Sequence, residues 1–361
     1  MDEVLDQLNK TSFIDLYKQK GDNQEQRRKD LLDAQKSLRN NLVDTCRGIL
    51  ALVDAAENND CFQEKKALYK PKIFVAGFTR CAYSNVLMLS EWMVEQPEDF
   101  HENWYVVPCP KGVRTLVVAN RGTTKLYSKY GQFRGEYKTA LPGGSGALKN
   151  RCCILDCFQP ENSNIMYVLD LLAWNTQPMT DGETEFRHFW MESHFRDIPE
   201  LERISKKNKL IFKILPKVLC TRENFNEFMM KAPHFPNFNP PLDGLLFYHK
   251  LAHYYSGETP LVGWIYPYMV PEVFGKDIQI NPVYNLEKPV NYVNQAEFIA
   301  RFNETYRKRT KKFRNSELPM ETAPSLPSGE KENDNTNSEP QPMDQLAPTE
   351  KSASECESNM E

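Results

Sequence analysis

Between residues 85 and 291, short strand-like runs follow one another with turns and few helices between them. Trp104-Tyr105-Val106-Val107, Thr115-Leu116-Val117-Val118, Cys153-Ile154-Leu155 and Met166-Tyr167-Val168-Leu169 are rich in β-branched and aromatic residues. Turns such as Pro142-Gly143-Gly144 separate them. A doubly wound parallel sheet needs a crossover helix between successive strands, and only 86–95, 185–195 and 222–231 are expected to be helical here. The expectation is an α+β domain of mainly antiparallel sheets.

Outside that stretch the composition changes several times. Residues 1–17 place Met1, Val4, Leu5, Leu8 and Phe13 in a polar setting, a pattern that builds no core alone but can lay one face into a partner's groove. Residues 23–56 read as a long helix with Leu31, Leu38, Leu42, Ile49 and Val53 as a narrow apolar stripe. Arg27, Arg28, Lys29, Lys36 and Arg39 lie on it among aspartates, which on composition alone describes a solvated helix or a coiled-coil arm. Residues 57–84 are transitional. A helix is expected over 295–313, with the basic run Arg307-Lys308-Arg309, and the tail 315–361 is too poor in apolar residues to order itself.

The 361 residues carry a net charge of −4, so any contact with nucleic acid must be local rather than a broad basic face. The nine cysteines have no zinc-site spacing, and His249 and His253 fall at a strand end and in the turn after it. No metal or cofactor is expected. Met1-Asp2-Glu3-Val4 is acidic and the apolar runs are short, so no membrane association is expected, and the thiols should be reduced, in cytosol or nucleus.

Two segments carry the chemistry. Asp243-Gly244-Leu245-Leu246-Phe247 and Leu261-Val262-Gly263-Trp264-Ile265-Tyr266-Pro267 resemble the last two nucleotide-binding motifs of RNA capping guanylyltransferases and DNA ligases. In those enzymes the second segment brings lysines to the phosphates; here Gly263 and Ile265 hold the lysine positions. Their first motif, KxDGxR, corresponds to Cys109-Pro110-Lys111-Gly112-Val113-Arg114, with Cys109 where the nucleophilic lysine would be. A thiol cannot form the phosphoramidate that such enzymes need. The third motif falls at Asp170-Leu171-Leu172, without its metal-binding glutamate. The expectation is a guanylyltransferase-like nucleotide cleft that binds without reacting; the alternative is an active RNA-capping-type nucleotidyltransferase using a displaced lysine such as Lys111.

In a binding cleft, Trp264 can stack on a purine, and a positively charged N7-methylguanine strengthens the contact. If N2 is dimethylated, an apolar wall is needed, and Leu89-Ser90-Glu91-Trp92 is the candidate; Arg114 and Lys129 are candidate phosphate partners.

Leu87-Met88-Leu89-Ser90-Glu91-Trp92, Ala119-Asn120-Arg121-Gly122-Thr123-Thr124, Leu141-Pro142-Gly143-Gly144 and the two segments above, extended through Lys250 and back to Thr259, resemble the snurportin family of import adaptors for spliceosomal small nuclear ribonucleoproteins. The resemblance implies a guanylyltransferase-like domain at 85–291 that binds the trimethylguanosine cap of small nuclear RNA. Trp264 would stack, Leu89, Ser90 and Trp92 would lie against the base, and Cys109, Arg114 and Lys129 would border the nucleotide. It further implies an importin-beta-binding helix at 18–56 using Arg27, Arg28, Lys29, Lys36 and Arg39. A nuclear exportin would engage 1–17 through Met1, Val4, Leu5, Leu8 and Phe13, in a chain shuttling between nucleus and cytoplasm. The run Gln26-Arg27-Arg28-Lys29-Asp30 is thinner than the family's arginine cluster, which implies weaker import-receptor binding.

Overall fold

The computed structural model describes residues 23–37, 48–58 and 83–304. The expectations for the export peptide 1–17, for Arg39, for most of the 57–84 linker, for the basic run after residue 304 and for the tail lie outside the described residues.

Two helices precede the globular part, α1 (Gln24–Ser37) and α2 (Gly48–Asn58). The first sheet has five strands in the order β1-β12-β11-β2-β10, with β1 (Met88–Trp92), β2 (Trp104–Pro110), β10 (Val218–Leu219), β11 (Leu242–His249) and β12 (Gly257–Ile265). The second runs β5-β4-β3-β6-β7-β8, from β3 (Val113–Asn120), β4 (Thr123–Ser128), β5 (Phe133–Tyr137), β6 (Cys152–Gln159), β7 (Ile165–Trp174) and β8 (Gln177–Pro178), with β9 (Ile211–Ile214) beside β7. The pairings are antiparallel except β1 with β12 and β7 with β9. The domain is α+β with mainly antiparallel sheets.

The alternation along the strands sorts side chains onto two faces of each sheet. Val107, Cys109, Leu246, Tyr248 and Val262 of the first sheet and Leu116, Val118, Ile154 and Leu169 of the second share one core between the sheets. The opposite face of the second sheet packs Val117, Leu155 and Val168 against Met191 of α3 (Thr184–Arg196). The opposite face of the first packs Trp104, Val106 and Phe247 against Phe225 and Phe228 of α4 (Arg222–Met230). Both helices fall where the sequence places them.

The segment 86–95 is a correction. Its leucines, methionine and glutamates favour a helix locally, yet Met88–Trp92 is an edge strand pairing in parallel with β12, at the far end of the sequence of strands. Its register with β12 breaks between Ser90 and Glu91, the part of β12 skipped being Pro260 to Val262. A proline has no N–H to give the ladder, so the irregularity falls where pairing is weakest. The free edge of β1 is covered by α1, whose Gln24 side chain donates to the Trp92 carbonyl at 3.1 Å. A final helix, α5, occupies 295–304.

Candidate nucleotide-binding site

The two segments singled out in the sequence lie side by side, with Leu246 opposite Trp264 and Phe247 opposite Gly263 across the β11–β12 ladder. On the next strand Cys109 is opposite Gly244. The Trp264 indole, half-buried, covers Gly244: a Cβ built on that glycine would stand 2.6 Å from both Cε2 and Cζ2 of the ring. The Cys109 thiol is itself buried. Burial, and then the charge of Asp243, push that thiol far above the usual range, so Cys109 stays neutral and is no nucleophile.

Trp92 is the register partner of Trp264, and the two rings meet edge to face with centroids 5.0 Å apart. Tyr266 meets Trp264 at 4.5 Å in a similar arrangement, and Phe298 and Phe302 of α5 approach Trp92 at 6.0 and 5.5 Å. T-shaped pairs of this kind set the positive ring edge against a negative face. The result is an indole lying on a glycine, flanked by a wall of aromatic rings.

The lysine positions of the enzyme motif are filled by packing. At Gly263 an added Cβ would come within 2.6 Å of the Met93 Cε, and Ile265 is wholly buried in the outer core. No side chain can leave either position toward a phosphate without displacing that core.

Among the other expected site residues, Leu89 and Ser90 lie on β1 beside Trp92, partly buried. Arg114 is the second residue of β3, on the inner face of the second sheet. Its Nε and Nη2 hold both oxygens of buried Asp156, at 2.5 and 2.6 Å, and Nη2 also reaches the Met88 carbonyl at 3.1 Å. Burial opposes its charge, but the attraction and hydrogen bonding of Asp156 outweigh it and hold the guanidinium well above its usual range. Arg114 therefore ties the second sheet to β1. Lys129 is exposed in the β4–β5 turn, next to Ser128, which pairs with Thr115, so it stands at the same end of the sheet as Arg114.

Asp170, the residue at the third enzyme motif, lies opposite Asp156 across β6 and β7. Two carboxylates in register repel, and each is neutralised by its own arginine. Arg187 of α3 takes both oxygens of Asp170 at 2.8 Å. Among the described residues no group of histidine, cysteine, aspartate and glutamate is arranged to hold a metal.

The basic residues of α1 face inward more than a solvated helix would. Arg27 makes a two-pronged ion pair with Glu91 at 2.7 and 2.8 Å. Arg28, 2% exposed, donates to the Pro260 carbonyl at 3.2 Å and to Gln24 at 2.8 Å, and lies 5.2 Å from the Trp104 ring. Lys29 reaches Glu98 at 2.9 Å, and Lys36 is exposed near Asp33. Gln35 holds the chain at Leu251 and His253. The helix is seated on β1 and β12, beside the aromatic wall.

Sequence reasoning missed Gly244, Met93, Tyr266, Phe298 and Phe302 as parts of the site. The signals present were the glycine of the first segment and the aromatic pair at i, i+4 in 295–304.

A half-buried indole lying on a glycine and flanked by aromatic rings offers the kind of flat face on which an aromatic base stacks. Residues 86–267 match the family described as Snurportin1, m3G cap-binding domain, and the chain belongs to that family. It thus carries a domain for binding the trimethylguanosine cap. Solved structures with some likeness include the ligase domain of LigD from M. tuberculosis, at 13% identity and a TM-score of 0.32, the match covering 50% of this chain and 58% of that one. A mycobacterial DNA ligase D complexed with ATP and MES is similar at 14% identity and TM-score 0.32, covering 50% of this chain and 59% of that one. Likeness at this level bears on no residue's role here.

Proposed function

We propose that this chain is a non-enzymatic import adaptor that carries trimethylguanosine-capped small nuclear RNA, with its ribonucleoprotein, to importin-beta. The observation that carries the cap reading is the Trp264 indole lying over Gly244 with Trp92 at its edge, within the family match. The base stacks on the exposed face of Trp264, and the N2 methyl groups meet Trp92, Leu89 and Ser90. Lys129 and Arg114 take phosphates. The buried neutral thiol at Cys109 and the packed Gly263 and Ile265 support carriage rather than transfer.

Fluorescence-quenching titration with trimethyl- and monomethylguanosine cap analogues tests the cap reading, with tighter binding of the trimethyl form expected. Equal competition by the two removes the N2 wall. The alternative, nucleotidyl transfer through Lys111, requires a covalent adduct with labelled GTP and magnesium that disappears in Lys111→Ala; none is expected.

The helix 18–56 supplies the importin-beta contact through Arg27, Arg28, Lys29, Lys36 and Arg39. Residues 1–17 engage an exportin through Met1, Val4, Leu5, Leu8 and Phe13, and the chain shuttles between nucleus and cytoplasm. The resemblance of these segments to the family supports this arm of the reading. Unchanged importin-beta binding after deletion of 1–56 would remove it and leave a cap-binding protein without a transport role.

A further inference from the structure

We propose that α5, which lies beyond the matched cap-binding domain, is a positioning element for N2-methyl recognition, holding Trp92 through Phe298 and Phe302. The inference rests on the cap reading above.

The helix is anchored at its start by bonds that have no part in a generic surface helix. The Gln295 side chain, 5% exposed, donates to the carbonyl of Met93 at 2.8 Å, one residue past Trp92. The Gln295 backbone N–H donates to one oxygen of Glu272 at 2.8 Å, while the Tyr292 hydroxyl donates to the other at 2.6 Å. Asn294 caps the first turn, its side chain accepting from the Glu297 N–H at 2.8 Å. The first turn of α5 is thereby fixed relative to β1.

From that anchor, Phe298 and Phe302 project from one face, four residues apart. Both meet Trp92 edge to face, and Phe298 also contacts Tyr266 at 5.7 Å. Phe302 is 47% exposed, so half of a large apolar ring is left to solvent next to Trp92. Its exposed area adjoins the same indole that the cap reading sets against the methyl groups.

The backbone of Trp92 is tied on two sides, by Gln24 at its carbonyl and by the Met93 N–H donating to the Trp264 carbonyl at 3.0 Å. Its side chain, on an edge strand beside a register break, has no such tie and takes its orientation from neighbouring rings. Without Phe298 and Phe302 the Trp92 indole can swing away. Trp264 would still stack any guanine, because every base has a π-face, whereas the wall for the methyl groups would be lost. Discrimination and stacking are thus separable, and α5 acts on the first.

The test uses the full chain with Phe302→Ala, Phe298→Ala and Phe302→Leu, titrated with trimethyl- and monomethylguanosine cap analogues. Loss of one aromatic pair corresponds to about 2–12-fold. Phe302→Ala and Phe298→Ala should weaken trimethyl binding by that factor and leave monomethyl binding unchanged, and Phe302→Leu should restore part of the preference. A full wild-type preference in both alanine variants, or an equal fall for both analogues, overturns the role of α5 alone. A wild-type chain that binds neither analogue overturns the cap reading and this inference with it.

Discussion

The Trp264 indole lies so closely over Gly244 that one added methyl would stand 2.6 Å from two of its ring carbons. The glycine of the first segment thus has a packing cause: it lets the Trp264 ring settle on the strand. Gly244→Ala should push the indole into the cleft and weaken trimethylguanosine cap binding about as much as Trp264→Ala, by ~1–3 kcal/mol. If the glycine acts only through the ring, Gly244→Ala added to Trp264→Ala costs no further affinity. Additive losses in the quenching titration would show another route.

Gly263 and Met93 make the return of a phosphate-binding lysine expensive. Gly263→Lys forces a side chain into the Met93 thioether and should lower stability by ~1–3 kcal/mol without yielding a nucleotide adduct. Met93→Ala in the same chain should recover part of the melting temperature. Adduct formation by the single variant would refute the packing account.

Neighbouring arginine and lysine on α1 should behave very differently. Arg28 is enclosed by Pro260, Gln24, Met93 and Trp104, and its loss strands buried acceptors. Arg28→Ala should cost the seating of the helix ~1.5–3 kcal/mol, read as faster amide hydrogen exchange over 24–37. Lys29→Ala, at an exposed pair, should leave that exchange unchanged. Similar exchange in the two variants would mean that the helix is held elsewhere.

His234 is stacked on Phe228 at 4.3 Å, and its Nε2 has no hydrogen-bond partner among the described residues. Burial, helped by Lys231, lowers its pKa to about 4 from 6.5. The unfolded chain therefore binds a proton there that the folded chain refuses. Stability from this site is complete above pH 6.5 and is lost as the pH falls from about 6.5 toward about 4. His234→Phe keeps the stack and should flatten that part of the melting-temperature profile. A variant as acid-sensitive as the wild type in that window would contradict this assignment.

Much of the domain was legible because its strands announce themselves locally. Thr115 to Val118 and Met166 to Leu169 are rich in β-branched and aromatic residues, and the helices 184–196 and 222–230 have their own periodicity. The strand Met88–Trp92 was not legible, since its identity comes from a partner far along the chain and its residues favour helix. Arg28 read as a surface charge because no local signal says that a guanidinium will be enclosed by Pro260 and Trp104. That Arg114 also pairs with Asp156, two residues from its register partner Phe158 on β6, had no local signal. Trp264 was visible from its motif; the aromatic wall beside it was not, because α5 joins it through tertiary contacts alone.

Helix α1 already has a seat on its own chain, with Arg27 on Glu91 and Arg28 beneath the edge of β12. Any acidic surface that takes this helix meets only the fraction of molecules in which it has come away, and the apparent dissociation constant rises by the inverse of that fraction. A peptide of residues 24–37 alone therefore sets the ceiling on such binding. Because Glu91 sits between Ser90 and Trp92, the ion pair that withholds the helix is also the one that steadies the strand carrying Trp92.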